Sequence, residues 1–164
     1  MTELRARGVT REQLEAWGRA IGAQAERPLV LALSGPLGAG KSVLARAVAR
    51  GAGVTASMPS PTFNLVYRYE PAGGLEVWHL DLYRLAHADE VWELGWQELG
   101  EGSQIVLVEW PERAAELLPP ARWEVELTTE QDAERRTVVA RRVGDAPDLP
   151  ALDDALLPAT SERP

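Results

Sequence analysis

Apolar positions along this chain change their period several times, and each change predicts an element. Leu29, Val30, Leu31, Ala32 and Leu33 form an unbroken apolar run, which reads as a strand buried on both faces, as in a parallel sheet. Residues 104 to 109 (Gln-Ile-Val-Leu-Val-Glu) repeat that pattern. Leu14, Trp17 and Ile21 instead recur at helical spacing, behind Thr10 and with Gln13 three residues after it. That is a capping box opening an amphipathic helix over residues 11 to 23, with Trp17 as a core anchor. A second helix is predicted from residue 43 to 50, stopping at Gly51. Residues 63 to 70 and 75 to 80 are β-rich and flank Pro71-Ala72-Gly73-Gly74, so they form a hairpin. Residues 123 to 128 and 136 to 143 alternate as well and read as antiparallel neighbours. Between these strands, residues 89 to 99 read as an acidic surface helix, and residues 111 to 118 as a short helix with proline in its first turn. Residues 1 to 9 carry no clear signal.

Composition narrows the classes of function. The chain has 164 residues, 45% of them apolar, which is enough for one substantial core. It has no cysteine, which removes disulfides, thiolate metal sites and thiol catalysis. No apolar run approaches a membrane span, and no signal-peptide core opens the chain, so a soluble, cytoplasmic protein is expected. The net charge of −8 opposes autonomous binding to RNA or DNA, because phosphate neutralisation dominates that affinity. A protein partner fits better. The expected organisation is one domain over residues 1 to 143, followed by a flexible acidic, proline-rich tail over 144 to 164.

Candidate chemistry concentrates where the first buried strand ends. Gly35-Pro36-Leu37-Gly38-Ala39-Gly40-Lys41-Ser42 matches G-x-x-x-x-G-K-S, between a strand and a helix. Glycines at 38 and 40 let backbone N–H groups turn inward around phosphate oxygens, and the following helix adds unpaired N–H groups and the positive end of its dipole. Lys41 can reach the β- and γ-phosphates, and the Ser42 hydroxyl can ligate Mg²⁺. Glu109, ending the second buried run, has the position of the acidic residue that binds Mg²⁺ opposite a phosphate loop, or else simply closes its strand. Asp81, at the end of the hairpin's second strand, can hold a metal or orient a water. His79, Asp81 and Tyr83 would share one face if that strand's pleat continues, and the lone His79 reads as structural. The loop over residues 57 to 63, with two prolines and two serines, is either a plain connection or a segment sensing the γ-phosphate. Arg135, Arg136, Arg141 and Arg142 are expected to face solvent.

Four motifs stand in fixed order: the phosphate loop, Ser60-Pro-Thr-Phe63, His79-Leu-Asp-Leu-Tyr-Arg84 and Val108-Glu-Trp-Pro111. Over about residues 10 to 140 this set resembles the TsaE (YjeE) family, the small ATPase of bacterial tRNA threonylcarbamoyladenosine synthesis. The resemblance implies an α/β P-loop NTPase fold, with a central mixed, mostly parallel sheet flanked by helices and carrying an antiparallel hairpin. It implies ATP bound by Leu37, Gly38, Ala39, Gly40, Lys41 and Ser42, with Ser42 and Glu109 ligating Mg²⁺. Thr62 would lie near the γ-phosphate, and Asp81 by the metal and the attacking water. Lys41, Thr62 and Asp81 are thus the expected catalytic set. The implied partners are the TsaB–TsaD pair, which the ATP cycle would reset between turnovers. Two positions depart from the family pattern: Pro36 stands where Asp is usual, and Ser42 where Thr is usual. Ser42 keeps the hydroxyl; Pro36 loses a charge and an N–H but is not one of the cradle residues.

No dedicated arginine finger follows the motifs, so a partner would supply one unless Arg84 does so in cis. A small-molecule kinase is the alternative enzyme, although no arginine-rich lid is visible. A nucleotide-dependent module without turnover is a third reading. A guanine-reading N-K-x-D is missing, which disfavours a GTPase.

Overall fold

In a computed structural model, residues 3–58, 65–71, 73–98 and 103–152 are described. The two unbroken apolar runs become β2 (Leu29–Ser34) and β5 (Gln104–Glu109), paired in parallel at the centre of a seven-stranded sheet. The remaining strands are β1 (Glu3–Val9), β3 (Val66–Tyr69), β4 (Glu76–Asp81), β6 (Arg122–Thr129) and β7 (Arg136–Val143). They are ordered β1-β7-β6-β2-β5-β4-β3. The core β6-β2-β5-β4 is parallel, and antiparallel strands close it on both sides. One of those antiparallel pairs is the expected hairpin, β3 with β4.

Helices α1 (Arg11–Gln24) and α2 (Lys41–Gly51) lie together over one face of the sheet. The capping box is formed: Gln13 N–H donates to Thr10 Oγ1 at 3.1 Å, and Thr10 N–H donates to Gln13 Oε1 at 2.9 Å. Leu14, Trp17 and Ile21 of α1 and Leu44 and Val48 of α2 pack on Leu31, Leu33, Ile105, Leu107 and Leu127. The two helices approach so closely that a Cβ on Gly22 would sit 2.0 Å from Val48 O, and one on Gly51 would sit 2.1 Å from Arg19 O. The opposite face, carrying Val30, Trp78, Leu80, Val106 and Val108, is covered by shorter 3₁₀ segments.

Several expectations need correction. Residues 3 to 9, without a clear signal in sequence, form an edge strand, because β7 offers a partner that only the folded chain brings near. The expected acidic helix over 89 to 99 is instead two 3₁₀ segments, Ala88–Leu94 and Trp96–Glu98, broken at Gly95 with φ of 87°. A residue in that left-handed conformation cannot continue an α-helix through residues 89 to 99.

The expected flexible tail packs over its first part. Trp17 Nε1 donates to Pro150 O at 3.1 Å, and Trp123 Nε1 donates to Pro147 O at 2.7 Å. Ala146 and Leu152 are buried in the larger core, and Arg142 pairs with Asp148. These contacts attach residues 146 to 152 to the body. Residues 153 to 164 lie outside the described part, as does the segment Ser60-Pro-Thr-Phe63 with the candidate Thr62.

Candidate active site at the carboxyl ends of the parallel strands

Strands β2, β4 and β5 all deliver their last residues to one edge of the sheet, where α/β folds gather ligands. β2 runs into the phosphate loop, β4 ends at Asp81 and β5 at Glu109; Asp81 and Glu109 are direct register partners. The loop is pressed against the sheet: a Cβ on Gly35 would sit 2.2 Å from Leu127 O. Gly40 caps α2 with φ of 108° and no side-chain hydrogen bond, which leaves the first N–H groups of the helix directed at the loop.

Three of the four buried polar or charged side chains among the described residues meet here: Lys41, His79 and Glu109. The Ser42 hydroxyl donates to the Glu109 carboxylate, 2.9 Å from Oε1 and 3.0 Å from Oε2. His79 Nε2 lies 2.6 Å from Glu109 Oε2. His79 is therefore structural in the sense expected, but the group it holds is a candidate metal ligand. The Lys41 ammonium donates to Gly35 O at 2.6 Å and Pro36 O at 2.9 Å, and lies 4.2 Å from the centre of the Trp110 ring. Burial pushes its pKa below the usual lysine value, against the opposing pull of Glu109, Glu112 and Asp81. Asp81 shifts the other way: desolvation raises its pKa, and the Tyr83 N–H, donating to Oδ1 at 3.0 Å, only partly offsets this.

Trp110 is the one non-glycine residue with positive φ among the described residues, at 58°. Backbone strain of this kind costs on the order of 1–3 kcal/mol and collects at functional sites. It turns the indole back over Lys41 and against Tyr83, with ring centres 4.9 Å apart. Tyr83 lies beyond the end of β4, so it joins the site through a turn rather than through the pleat that aligns His79 with Asp81.

Two cavities flank the loop. One, of about 360 Å³, is bounded by Lys41, Ser42, Asp81, Arg84, Glu109 and Trp110. The other, of about 470 Å³, lies between the start of α1 and residues 132 to 136, and shares Gly38, Gly40 and Val43 with the first. Sequence reasoning missed this second wall. Arg136, expected in solvent, folds onto the loop, with Nε 2.9 Å from Ala39 O and Nη2 3.0 Å from Gly38 O. Of the predicted site residues, the structure brings Leu37, Gly38, Gly40, Lys41, Ser42, Asp81 and Glu109 around one cavity, with Ala39 facing the other.

The residues fit a magnesium ion. A hydroxyl and a carboxylate already in contact, with a second carboxylate alongside, are hard oxygen donors, and Mg²⁺ typically takes one or two such groups plus phosphate and water. Among the described residues, no helix is long and apolar enough to cross a membrane.

Comparison with known proteins agrees with this geometry. The family model for threonylcarbamoyl adenosine biosynthesis protein TsaE matches residues 9–138. A TsaE protein of Treponema pallidum is 36% identical over 124 residues, covering 76% of this chain and 90% of that one. The Bacillus subtilis protein of the same name is 36% identical over 135 residues, covering 82% and 84%. The crystal structure of YdiB from Bacillus subtilis superposes with a TM-score of 0.67 at 28% identity, covering 88% of this chain and 89% of that one. The sheet order, the phosphate loop and the matched span together make this chain a member of the TsaE family, built on the P-loop NTPase fold.

Proposed function

We propose that this protein binds and hydrolyses ATP as an accessory subunit in making N6-threonylcarbamoyladenosine in tRNA. The observation that carries the reading is the Ser42–Glu109 contact beside a phosphate loop whose lysine is buried at the same point. The relatives' name, tRNA threonylcarbamoyladenosine biosynthesis protein, supplies the process.

In this reading, N–H groups from Leu37 to Ser42 cradle the phosphates and Lys41 neutralises the β- and γ-oxygens. Ser42 and Glu109 would hold Mg²⁺, which supplies charge stabilisation for phosphoryl transfer. Asp81 orients the attacking water, and Thr62, outside the described residues, takes its catalytic role from the motif alone. The larger cavity gives the nucleoside room, with Thr10, Asp132 and Glu134 as hydrogen-bonding groups on its walls.

Hydrolysis is slow in isolation because, among the described residues, no dedicated loop carries an arginine finger, although Arg84 borders the phosphate cavity. The mouth of that cavity presents Leu37, 70% exposed, and Tyr83, 42% exposed, an apolar rim suited to a protein surface. We assign that surface to the TsaB–TsaD pair, in the cytoplasm. Direct tRNA binding is not part of the proposal, given the charge of −8.

The test is phosphate release by the purified chain, alone and with TsaB plus TsaD, beside Lys41→Ala. Weak basal turnover that rises with the pair and vanishes in the variant is expected. Phosphate transfer to a small acceptor in place of release would sink the accessory-ATPase reading.

A further inference from the structure

Arg136, the first residue of β7, spends its guanidinium on backbone carbonyls from two parts of the chain. Nε and Nη2 reach Ala39 O and Gly38 O in the phosphate loop, while Nη1 donates to Ala133 O and, at 2.9 Å, to Arg135 O. The planar fork thus bridges the loop to the turn that precedes β7.

The geometry of a trans peptide gives this bridge a consequence. A carbonyl and the N–H of the next residue point in opposite directions from one rigid plane. The Gly38 carbonyl shares its plane with Ala39 N–H, which closes the loop's internal turn on Pro36 O at 3.1 Å. The Ala39 carbonyl shares its plane with Gly40 N–H, which therefore points away from Arg136. Two consecutive peptide planes are fixed from outside. They lie between Gly38 and Gly40, whose φ values are 80° and 108°, where the chain has most conformational freedom to lose. The same arginine sets the loop against residues 132 to 135, which line the larger cavity together with Gly38, Ala39 and Gly40.

We propose that Arg136 is a positioning residue: it holds the phosphate loop in its anion-binding form and fixes the loop to the cavity wall, acting through the backbone. The inference rests on the nucleotide-binding reading above and adds a residue to it.

The test uses the full chain with Arg136→Lys and Arg136→Gln, titrated with ADP and separately with inorganic diphosphate, which can touch only the loop. Arg141→Gln, on the same strand but paired with Glu3, is the control for strand stability. Both Arg136 variants should lose affinity for both ligands by the same factor, about tenfold, equivalent to about 1.4 kcal/mol. Lysine keeps the charge but cannot span both carbonyls, so it should not rescue. Hydrogen exchange of the ligand-free protein should quicken at residues 38 to 41, with a thermal midpoint no lower than that of the control.

A loss confined to ADP would overturn the proposal by making Arg136 a nucleoside contact. Full rescue by lysine, or exchange rising uniformly through α2 and β7, would overturn it as well. Failure of the unaltered protein to bind either ligand would instead bring down the nucleotide-binding reading, and this inference with it.

Discussion

The Ser42 hydroxyl, in the first turn of α2, donates to both carboxylate oxygens of Glu109 at the end of β5, joining residues 67 positions apart. The contact places the two proposed Mg²⁺ ligands side by side, with His79 bracing the carboxylate from below. Glu109→Gln keeps the shape and removes the charge. Mg²⁺-dependent hydrolysis should fall by on the order of a hundredfold or more, several kcal/mol of lost transition-state stabilisation. ADP binding without the ion should hardly change. Paired turnover and binding measurements check this, and unchanged turnover would remove Glu109 from the metal site.

Lys41 is buried and held by the carbonyls of Gly35 and Pro36, close to where phosphate would sit. Lys41→Ala removes a charge-assisted contact of roughly 1.5–3 kcal/mol. ATP affinity should therefore drop by on the order of tenfold to a hundredfold. Titration of the variant with ATP is the readout, and affinity equal to the parent's would discard the phosphate role.

Desolvation raises the pKa of Asp81, so the folded state holds this proton more tightly than the unfolded chain does. The sign follows directly: stability from this group is present at low pH and is lost as pH rises through the raised folded value. Asp81→Asn should therefore raise the melting temperature at neutral pH, with the gain fading in acid, since asparagine's Oδ1 can still accept from Tyr83 N–H. Hydrolysis should fall in the same variant, a stability–activity trade-off. Melting curves across pH decide it; a gain that persists undiminished in acid would contradict the electrostatic cause.

Close passage of α1 over α2 requires glycine at the crossing. Gly51→Ala places a Cβ about 2.1 Å from Arg19 O, backbone that cannot swing aside as a side chain would. Overpacking of this kind costs about 1–3 kcal/mol. A denaturant midpoint lowered with unchanged slope is expected.

Removing residues 145 to 164 strips the acceptors of Trp17 and Trp123 and takes Ala146 and Leu152 out of the core. Each lost hydrogen bond contributes about 1 kcal/mol, and an emptied leucine site costs more. The truncated chain should melt several degrees lower; an unchanged midpoint would return the whole segment to the status of a loose tail.

What could be read directly from the chain was local and contiguous. The phosphate loop needs eight consecutive residues, the capping box four, and the buried strands four or five apolar side chains in a row. Asp81 and Glu109 stood out because each follows a strand pattern immediately. The fold then decided everything that depends on distant pairing. Strand β1 exists because Glu3 lies opposite Arg141, 138 positions away, and no periodicity in residues 3 to 9 announces such a partner. Arg136 looked like one of four surface arginines until β7 carried it beneath the Gly38 and Ala39 carbonyls. His79 looked like a lone core histidine until the parallel pairing of β4 with β5 set it against Glu109. Residues 146 to 152 read as an acidic tail, because their acceptors are backbone carbonyls, which no side-chain pattern records, and their donors are indoles on α1 and β6. Sequence specifies conformations set by neighbours along the chain; which side chains meet across the sheet is set by strand order and register, and those are determined by burial summed over the whole molecule.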